Sequence, residues 1–377
     1  METVGIICEY NPFHNGHLRQ FQLIREKYGR DSTIICLMSG NFVQRGAPAI
    51  IDKSIRAQAA VRAGADLVLE LPPTVALSSA EGFAMGGVEI LSRCCDALCF
   101  GTESMERDDL VQTAQALLSS AFPPLLKQVL SSGCSFPAAR QEALRQMGIA
   151  RTLSDPNDIL GVEYVKAILA SNGSMDILPV HREGAYHTEE LMPDAPSAAA
   201  IRKRLLNGGS WRSAVPACAA GLLEDAPLHT LGAGERAIVS RLRTMTEDEF
   251  ARLPFGSEGL WRRLLKASRT CSDLSSIIDA TKSKRYTRTR IDRMILCAFL
   301  GLSESDIGSV PDMVRVLAFT DRGRAVLRTH PEFRNAGKDV TQEETRLGNL
   351  YGLFCLSGIE PPNTEKKRRV FYLKESE

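Results

Sequence analysis

The sequence predicts an α/β fold: a parallel sheet covered by helices on both faces, followed by a smaller, mainly helical C-terminal domain. Three observations carry this. Short apolar runs alternate with helical patterns through the first half of the chain, which is the signature of strand–helix–strand units. The runs are mostly apolar rather than alternating, as strands buried on both faces are. Polar, glycine-containing segments follow the runs repeatedly, on the side where open parallel sheets bind ligands.

Val4-Gly5-Ile6-Ile7-Cys8 reads as the first buried strand, and Leu18 onward as a helix ending near Gly29. Thr33–Met38 is a second strand. A polar loop follows, then a helix from about Lys53 to Ala63 that Gly64 stops. Leu67–Leu71 is a third strand, cut off by Pro72-Pro73. Ser78-x-x-Glu81 fits a capping box opening a helix towards Arg93. Ala97–Phe100 is a fourth strand, with Gly101 at its end. Residues 106–149 look like a helical insertion. Asp155-Pro156-Asn157 starts a helix through about Leu169, Asp176–Val180 is a fifth strand, and Ser197 opens another helix. From about residue 207 no convincing buried strand is visible, while Ile277-Ile278 and Ile291–Leu300 suggest helices. The expected division is a Rossmann-like domain over 1–205 and a helical domain over 206–377.

The most informative segment joins the first strand to the first helix: Glu9-Tyr10-Asn11-Pro12-Phe13-His14-Asn15-Gly16-His17. It places two imidazoles three residues apart, with a glycine between, at a helix N-terminus. That end carries free N–H groups and the positive pole of the helix dipole, which suits phosphate. Gly16 permits close approach to the backbone. His14 and His17 can donate to phosphate oxygens, more strongly as charge builds up. The pattern points to a nucleoside triphosphate and to chemistry at a phosphate.

Bulk properties narrow the classes. A chain of 377 residues can bury two cores. The formal charge is only +1, so a nucleic-acid surface must be a local patch. No apolar stretch is long enough to span a bilayer, and the chain opens almost at once on a strand, so neither membrane nor signal peptide is expected. The ten cysteines include no C-x-x-C pair, which favours buried, reduced thiols in a cytoplasmic protein over a disulfide or zinc framework. The cluster Cys94, Cys95, Cys99 fits no common zinc spacing. No metal site, paired carboxylates or Ser/His/Asp arrangement stands out.

Strand, H-x-G-H and helix together resemble the nucleotidylyltransferase superfamily. The longer string Glu9–His17, with Met38-Ser39-Gly40-Asn41-Phe42-Val43-Gln44-Arg45-Gly46 after the second strand, resembles the bacterial tRNA(Met) cytidine acetate ligase family. The match covers most of 1–205 and, more loosely, the rest. The resemblance implies ATP bound along Ile7, Cys8, Glu9, Tyr10, Asn11, Pro12, Phe13, His14, Asn15, Gly16, His17, Leu18, Arg19 and Gln20, with His14 and His17 catalytic. It also implies ATP contacts from Gly101, Asn157 and Arg182. Residue chemistry agrees with these: a glycine where base or ribose can pack, an amide suited to a base edge, a planar fork for phosphate. Asn157 is equally well placed to cap its helix. Ser197-Ala198-Ala199-Ala200-Ile201-Arg202 resembles the superfamily's second phosphate signature. Ala199 stands where the family usually has threonine, which leaves Ser197 and Arg202 as the expected contacts.

Arg45 and Lys53 are the nearest further candidates for positioning a carboxylate or phosphates, and each is equally a candidate surface charge. Magnesium is expected, held largely by the nucleotide. In the C-terminal half, Lys282, Lys284, Arg285, Arg288, Arg290 and Arg293 surround Tyr286 with few acids between them. Such a run suits an RNA backbone, with the tyrosine available to stack on a base. It is expected to lie apart from the nucleotide site. The expected activity is an ATP-dependent ligase that activates acetate as acetyl-adenylate and acetylates the wobble cytidine of elongator tRNA(Met). No protein partner is implied. A small-molecule nucleotidylyltransferase of the same fold would leave the basic run unexplained. A non-catalytic RNA-binding protein would not need the intact H-x-G-H.

Overall fold

The computed structural model describes residues 2–171, 173–181, 196–283, 286–334 and 340–374. Its strands are β1 (Thr3–Cys8), β2 (Thr33–Ser39), β3 (Phe42–Val43), β4 (Ala47–Pro48), β5 (Leu67–Leu71), β6 (Ala97–Thr102), β7 (Asp176–His181), β8 (Val314–Thr320), β9 (Phe333–Arg334) and β10 (Phe371–Leu373). The helices of the first half are α1 (Asn15–Tyr28), α2 (Lys53–Arg62), α3 (Pro73–Ala76), α4 (Ala80–Leu91), α5 (Arg107–Leu118), α6 (Phe122–Leu130), α7 (Phe136–Gln146), α8 (Pro156–Ala170) and α9 (Ala198–Asn207). Those of the second half are α10 (Ala217–Glu224), α11 (Glu235–Thr244), α12 (Glu247–Ala251), α13 (Leu260–Thr270), α14 (Leu274–Thr281), α15 (Arg288–Leu300), α16 (Asp321–Thr329), α17 (Gln342–Tyr351) and α18 (Thr364–Lys367).

The main sheet runs β10-β8-β5-β2-β1-β6-β7, with β9 beside β8. From β5 to β7 every pairing is parallel. β2 explains why its sequence reads as one apolar run. Ile35 and Leu37 face a core with α4, α5 and α8, while Ile34, Cys36 and Met38 face a second core with α1, α2 and α10. Period-two alternation then selects between two apolar faces, so no polar position appears from Ile34 to Met38. A third core, holding Leu242, Phe250, Leu264, Ile277, Ile291 and Phe354, belongs to the C-terminal helices.

The C-terminal half is not wholly helical, which corrects the reading that no buried strand follows residue 207. β8 pairs antiparallel with β5, and β10 pairs parallel with β8. Both extend the sheet that the first half begins. Smaller corrections follow the same logic. Gly101 lies inside β6 rather than at its stop. Ser79, not Ser78, caps α4, its hydroxyl accepting from Gly82 N. The loop after β2 forms a short hairpin of β3 with β4.

Candidate functional site

β1, β2, β5, β6 and β7 point their carboxyl ends to one edge, and the motif segments gather there. His14 is the N-cap of α1. Its Nδ1 accepts from Gly16 N at 3.1 Å, and its own N–H donates to His17 Nδ1 at 3.2 Å. The two rings stack with centroids 3.7 Å apart. Because each Nδ1 accepts from the backbone, each neutral ring must carry its proton on Nε2. The cap thus fixes the tautomer, and Nε2–H is the donor form that a phosphate oxygen needs. Behind the pair, Tyr10, Phe13 and Phe21 form an aromatic cluster. Tyr10 takes φ +45° and its hydroxyl reaches Cys36 Sγ at 3.3 Å. Burial raises the pKa of Tyr10 and of Cys8 well above the ordinary values. Both therefore stay neutral, and neither serves as a nucleophile.

The rest of Ile7–Gln20 wraps this cap in different ways. Ile7 and Leu18 pack into the cores on the two faces. Cys8 Sγ donates to Leu37 O, and Asn15 Nδ2 to Ser213 O. Gln20 Nε2 donates to Cys99 Sγ. Pro12 follows Asn11 through a cis bond. Arg19 lies on the exposed face of α1, paired with Glu26.

A second group lies beside it. Glu103, two residues past Gly101, grips the start of α8: its Oε1 accepts from Asn157 Nδ2 at 2.6 Å, and its Oε2 from Asn157 N and Asp158 N. Glu103 itself is the capping acid, a residue that sequence reasoning missed. Ser197 caps α9 by accepting from Ala200 N, and Arg202 Nη1 donates to Asn11 O at 2.7 Å. That bond ties the second phosphate-like segment to the first. Arg182 lies outside the described residues, directly after the carboxyl end of β7.

The main residue missed by sequence is Arg56. It is fully buried. Its guanidinium donates to Ile51 O at 2.8 Å, Glu9 O at 2.5 Å, Ser39 O at 3.1 Å and Gly40 O. One side chain thus holds the ends of β1 and β2 in fixed relation. A helix-interior arginine carries no sequence signal of this. Glu9 Oε1 completes the join by accepting from Gln44 N.

Lys53 is corrected. It is buried, with Nζ 2.7 Å from Glu70 Oε1 and 3.2 Å from Glu365 Oε1. A buried ammonium needs such partners, so it is a member of an ion network rather than a surface charge, and it also lines the cavity over the ends of β2 and β5. The network continues through Arg315, Glu344, Arg334, Arg368 and Asp52. Arg45 is exposed on the hairpin loop.

The basic run is also revised. Tyr286 is only 6% exposed and its hydroxyl donates to Glu258 O, so its ring has no face for a base. Arg290 donates to Phe255 O and Ser257 Oγ, and Arg293 packs over the Phe255 ring. Arg288 is exposed and pairs with Asp292, and Lys282 is exposed. Lys284 and Arg285 lie outside the described residues. On the side of the H-x-G-H edge the run meets the hairpin that follows β2, whose Gln44 N donates to Glu9 Oε1. Gly46, at φ +78°, sits directly on the backbone of Asp292 and Arg293, where a Cβ has no room. The hairpin after β2 is wedged between the two.

Among the described residues, one group has metal-ligand character: His229, Cys355 and Glu360, with His229 Nε2 3.2 Å from Glu360 Oε1. It joins Tyr351 and the 354–356 segment, not the H-x-G-H edge. No helix among the described residues is long and apolar enough to cross a membrane.

Comparison with known proteins agrees with this geometry. The family described as HIGH Nucleotidyl Transferase matches residues 1–336. The tRNA(Met) cytidine acetate ligase of Alkaliphilus metalliredigens is 37% identical over 361 residues, covering 87% of this chain and 85% of that protein. That of Acetivibrio thermocellus is 34% identical over 353 residues, with 87% and 85% covered. Among solved structures, apo Thermotoga maritima TmcAL superposes with a TM-score of 0.89 at 28% identity over the whole of both chains. The same protein bound with alpha-thio ATP gives 0.88.

Proposed function

The chain belongs to the tRNA(Met) cytidine acetate ligase family of HIGH nucleotidyl transferases, and we propose that it performs that family's reaction at the H-x-G-H edge. A carboxylate oxygen of acetate attacks the α-phosphorus of ATP. The bond to the β-phosphate oxygen breaks, and pyrophosphate leaves. The exocyclic amine of the wobble cytidine of elongator tRNA(Met) then attacks the acetyl carbonyl. AMP leaves, and the amine proton passes to the departing phosphate or to water.

The observation that carries this reading is the cap of α1. His14 and His17 are held with Nδ1 turned to backbone donors at the positive end of a 14-residue helix, the end that favours phosphate. Donors fixed before reaction stabilise charge without reorganising. No side chain is required as a nucleophile, because adenylate formation needs alignment and charge neutralisation. Arg202 and Ser197 supply further donors on the α9 side, and Gly101 and Asn157 the wall for the adenosine. Magnesium enters with the nucleotide. The nitrogen and hydroxyl donors grouped here suit phosphate rather than a bare cation, so the ion is held chiefly by the phosphates.

The test is to incubate the protein with ATP, labelled acetate and tRNA, then digest the RNA to nucleosides. Labelled N4-acetylcytidine, dependent on ATP and on tRNA(Met), is the expected product. Label in no nucleoside would overturn the reading. A product made from ATP and a small acceptor without RNA would favour the small-molecule nucleotidylyltransferase.

A further inference from the structure

Where the segment between α10 and α11 meets the chain after α17, three side chains converge. A ring nitrogen of His229, the Cys355 sulfur and a Glu360 carboxylate oxygen all lie within 4.8 Å of one another. The backbone sets this up. His229 and Cys355 form an antiparallel bridge. Thr230 N donates to Phe354 O at 2.9 Å on one side of it, and Leu356 N to Leu228 O at 2.8 Å on the other. Glu360 N donates to Gly352 O at 3.2 Å, which brings the chain back so that its carboxylate reaches the same point. The spacing of ligands in sequence gives no sign of this, because His229 is remote from the other two.

The imidazole carries the argument. The His229 side chain has no exposed surface. Its Nδ1 lies 3.2 Å from Pro227 O. A carbonyl oxygen only accepts, so Nδ1 holds the proton and Nε2 of the neutral ring presents its lone pair. Nε2 stands 3.2 Å from Glu360 Oε1, yet it has no hydrogen-bond partner among the described residues. A lone pair facing a carboxylate is repulsive, and a buried nitrogen left without a partner is costly. A second ring proton does not repair this, because the in-plane N–H direction at Nε2 misses Oε1. A cation set between nitrogen, oxygen and sulfur satisfies all three.

The donor set and its geometry narrow the ion. Tetrahedral zinc, with bonds of about 2.0–2.3 Å, holds its ligand atoms about 3.3–3.6 Å apart, and the Nε2–Oε1 separation of 3.2 Å is close to that. A thiolate with an imidazole suits zinc, whereas magnesium and calcium prefer oxygen alone. An Nδ1–H bond to a backbone carbonyl is the outer contact that orients zinc-bound histidines. The Glu360 side chain is 21% exposed, and Ser357 Oγ lies 3.2 Å from Cys355 Sγ, so water or that hydroxyl completes the four ligands. Arg368 is near enough to attract Glu360, but its guanidinium is paired with Asp52 and Glu365.

We propose that His229 Nε2, Cys355 Sγ and a Glu360 carboxylate oxygen bind one zinc ion as a structural clamp. On binding, the thiol proton passes to solvent, and thiolate and carboxylate together balance the charge of the ion. The clamp lies beneath the H-x-G-H segment rather than in it. His229 N donates to Ile50 O at 2.8 Å, and Ile50 N donates to Asn11 Oδ1 at 2.8 Å. Tyr351 stacks on the His229 ring with centroids 4.0 Å apart, and its hydroxyl donates to Ala49 O at 2.9 Å. The ion therefore ties residues 228–230 and 355–360 to the strip of chain that supports Asn11. It takes no part in the chemistry at phosphate, and it stands whether or not the function proposed above does.

The test uses the full-length protein, stripped with a chelator under reducing conditions and reloaded with zinc or cobalt chloride alone. About one zinc ion per chain is expected by elemental mass spectrometry. At a hundredfold excess over its dissociation constant, zinc should raise the melting temperature by about 5 °C. Cobalt should give a thiolate-to-metal charge-transfer band in the near ultraviolet, and magnesium should do neither. Cys355→Ser should abolish the band and weaken zinc by more than about a hundredfold, beyond the scale of losing an outer-shell partner. Glu360→Gln changes a partly exposed side chain, so it should fold, keep the band and weaken zinc by about tenfold or more. Cys218→Ser, at an exposed cysteine on α10, should behave as wild type. Stripped and reduced wild-type protein that takes up no zinc would overturn the proposal. A cobalt band that survives Cys355→Ser would overturn it too, since the ion would then sit on another cysteine. Should Cys355→Ser fail to fold, wild-type zinc affinity in Glu360→Gln would overturn it alone.

Discussion

Replacing Arg56 by methionine removes four hydrogen bonds to the carbonyls of Ile51, Glu9, Ser39 and Gly40 while keeping much of the side-chain volume. A buried carbonyl left without its donor costs about 1–3 kcal/mol. Four such losses sum to about 4–12 kcal/mol. They share one site and do not add fully, and part is offset because burial opposes this guanidinium's charge, lowering its pKa. The low end, about 3–4 kcal/mol, is the expected loss. At about 2–4 °C per kcal/mol, that is a fall in melting temperature of about 6–16 °C. Arg56→Lys restores one donor and should fall between. The assay is thermal melting followed by circular dichroism, with ATP affinity from calorimetry on the folded fraction. Affinity should fall as well, since Arg56 fixes Glu9 at the head of the motif. A methionine variant melting within about 2 °C of wild type would refute the claim that this side chain holds β1 and β2 together.

Two further outcomes are expected. Burial pushes the pKa values of Asp52, Glu344 and Glu365 upward, but the Arg368, Arg334, Lys53 and Arg315 charges and local hydrogen bonds outweigh it, so all three stand below ordinary carboxylates. A folded-state pKa below the unfolded one gives stability that is complete above about pH 4–5 and is lost as pH falls further. Melting temperature should therefore hold between about pH 5 and 8 and drop below about 4, and Glu365→Gln should flatten that drop; an unchanged acid limb in the variant would contradict the network's role. Neutralising exposed Lys282 and Arg288 together should weaken tRNA binding and flatten its salt dependence by up to about two units of slope, measured by filter binding across salt concentrations, whereas an unchanged slope would make this face a solvated surface.

Much of the parallel half of the fold is legible in the sequence because its signals are local. β1, β2, β5, β6 and β7 each hold a run of three or more apolar residues, and the caps of α1, α8 and α9 sit in the segments whose spacing suggests them. The strands that were missed depend on distance. β8, Val314-Arg315-Val316-Leu317-Ala318-Phe319-Thr320, carries an arginine at its second position, which reads as exposed. Only carboxylates from Glu70, Glu344 and Glu365 make that position buriable, and none of them is near it in sequence. The same reason hid Arg56, whose four acceptors come from three segments, and the buried ion partners of Lys53. Tyr286 misled in the opposite sense: its basic neighbours suggested exposure, while its ring fills the third core. The histidine pair was legible because spacing, glycine and helix start all lie within four residues.

The most direct test of the central claim is acetate-dependent ATP–pyrophosphate exchange in the absence of RNA, measured for wild type and His17→Ala with ATP affinity determined alongside. Wild type should catalyse exchange only when acetate is present. His17→Ala should lose about a hundredfold or more in rate, the scale of removing one preorganised donor, with a much smaller loss in ATP affinity. Exchange at the wild-type rate in His17→Ala, or no exchange by the wild-type protein, would contradict the account.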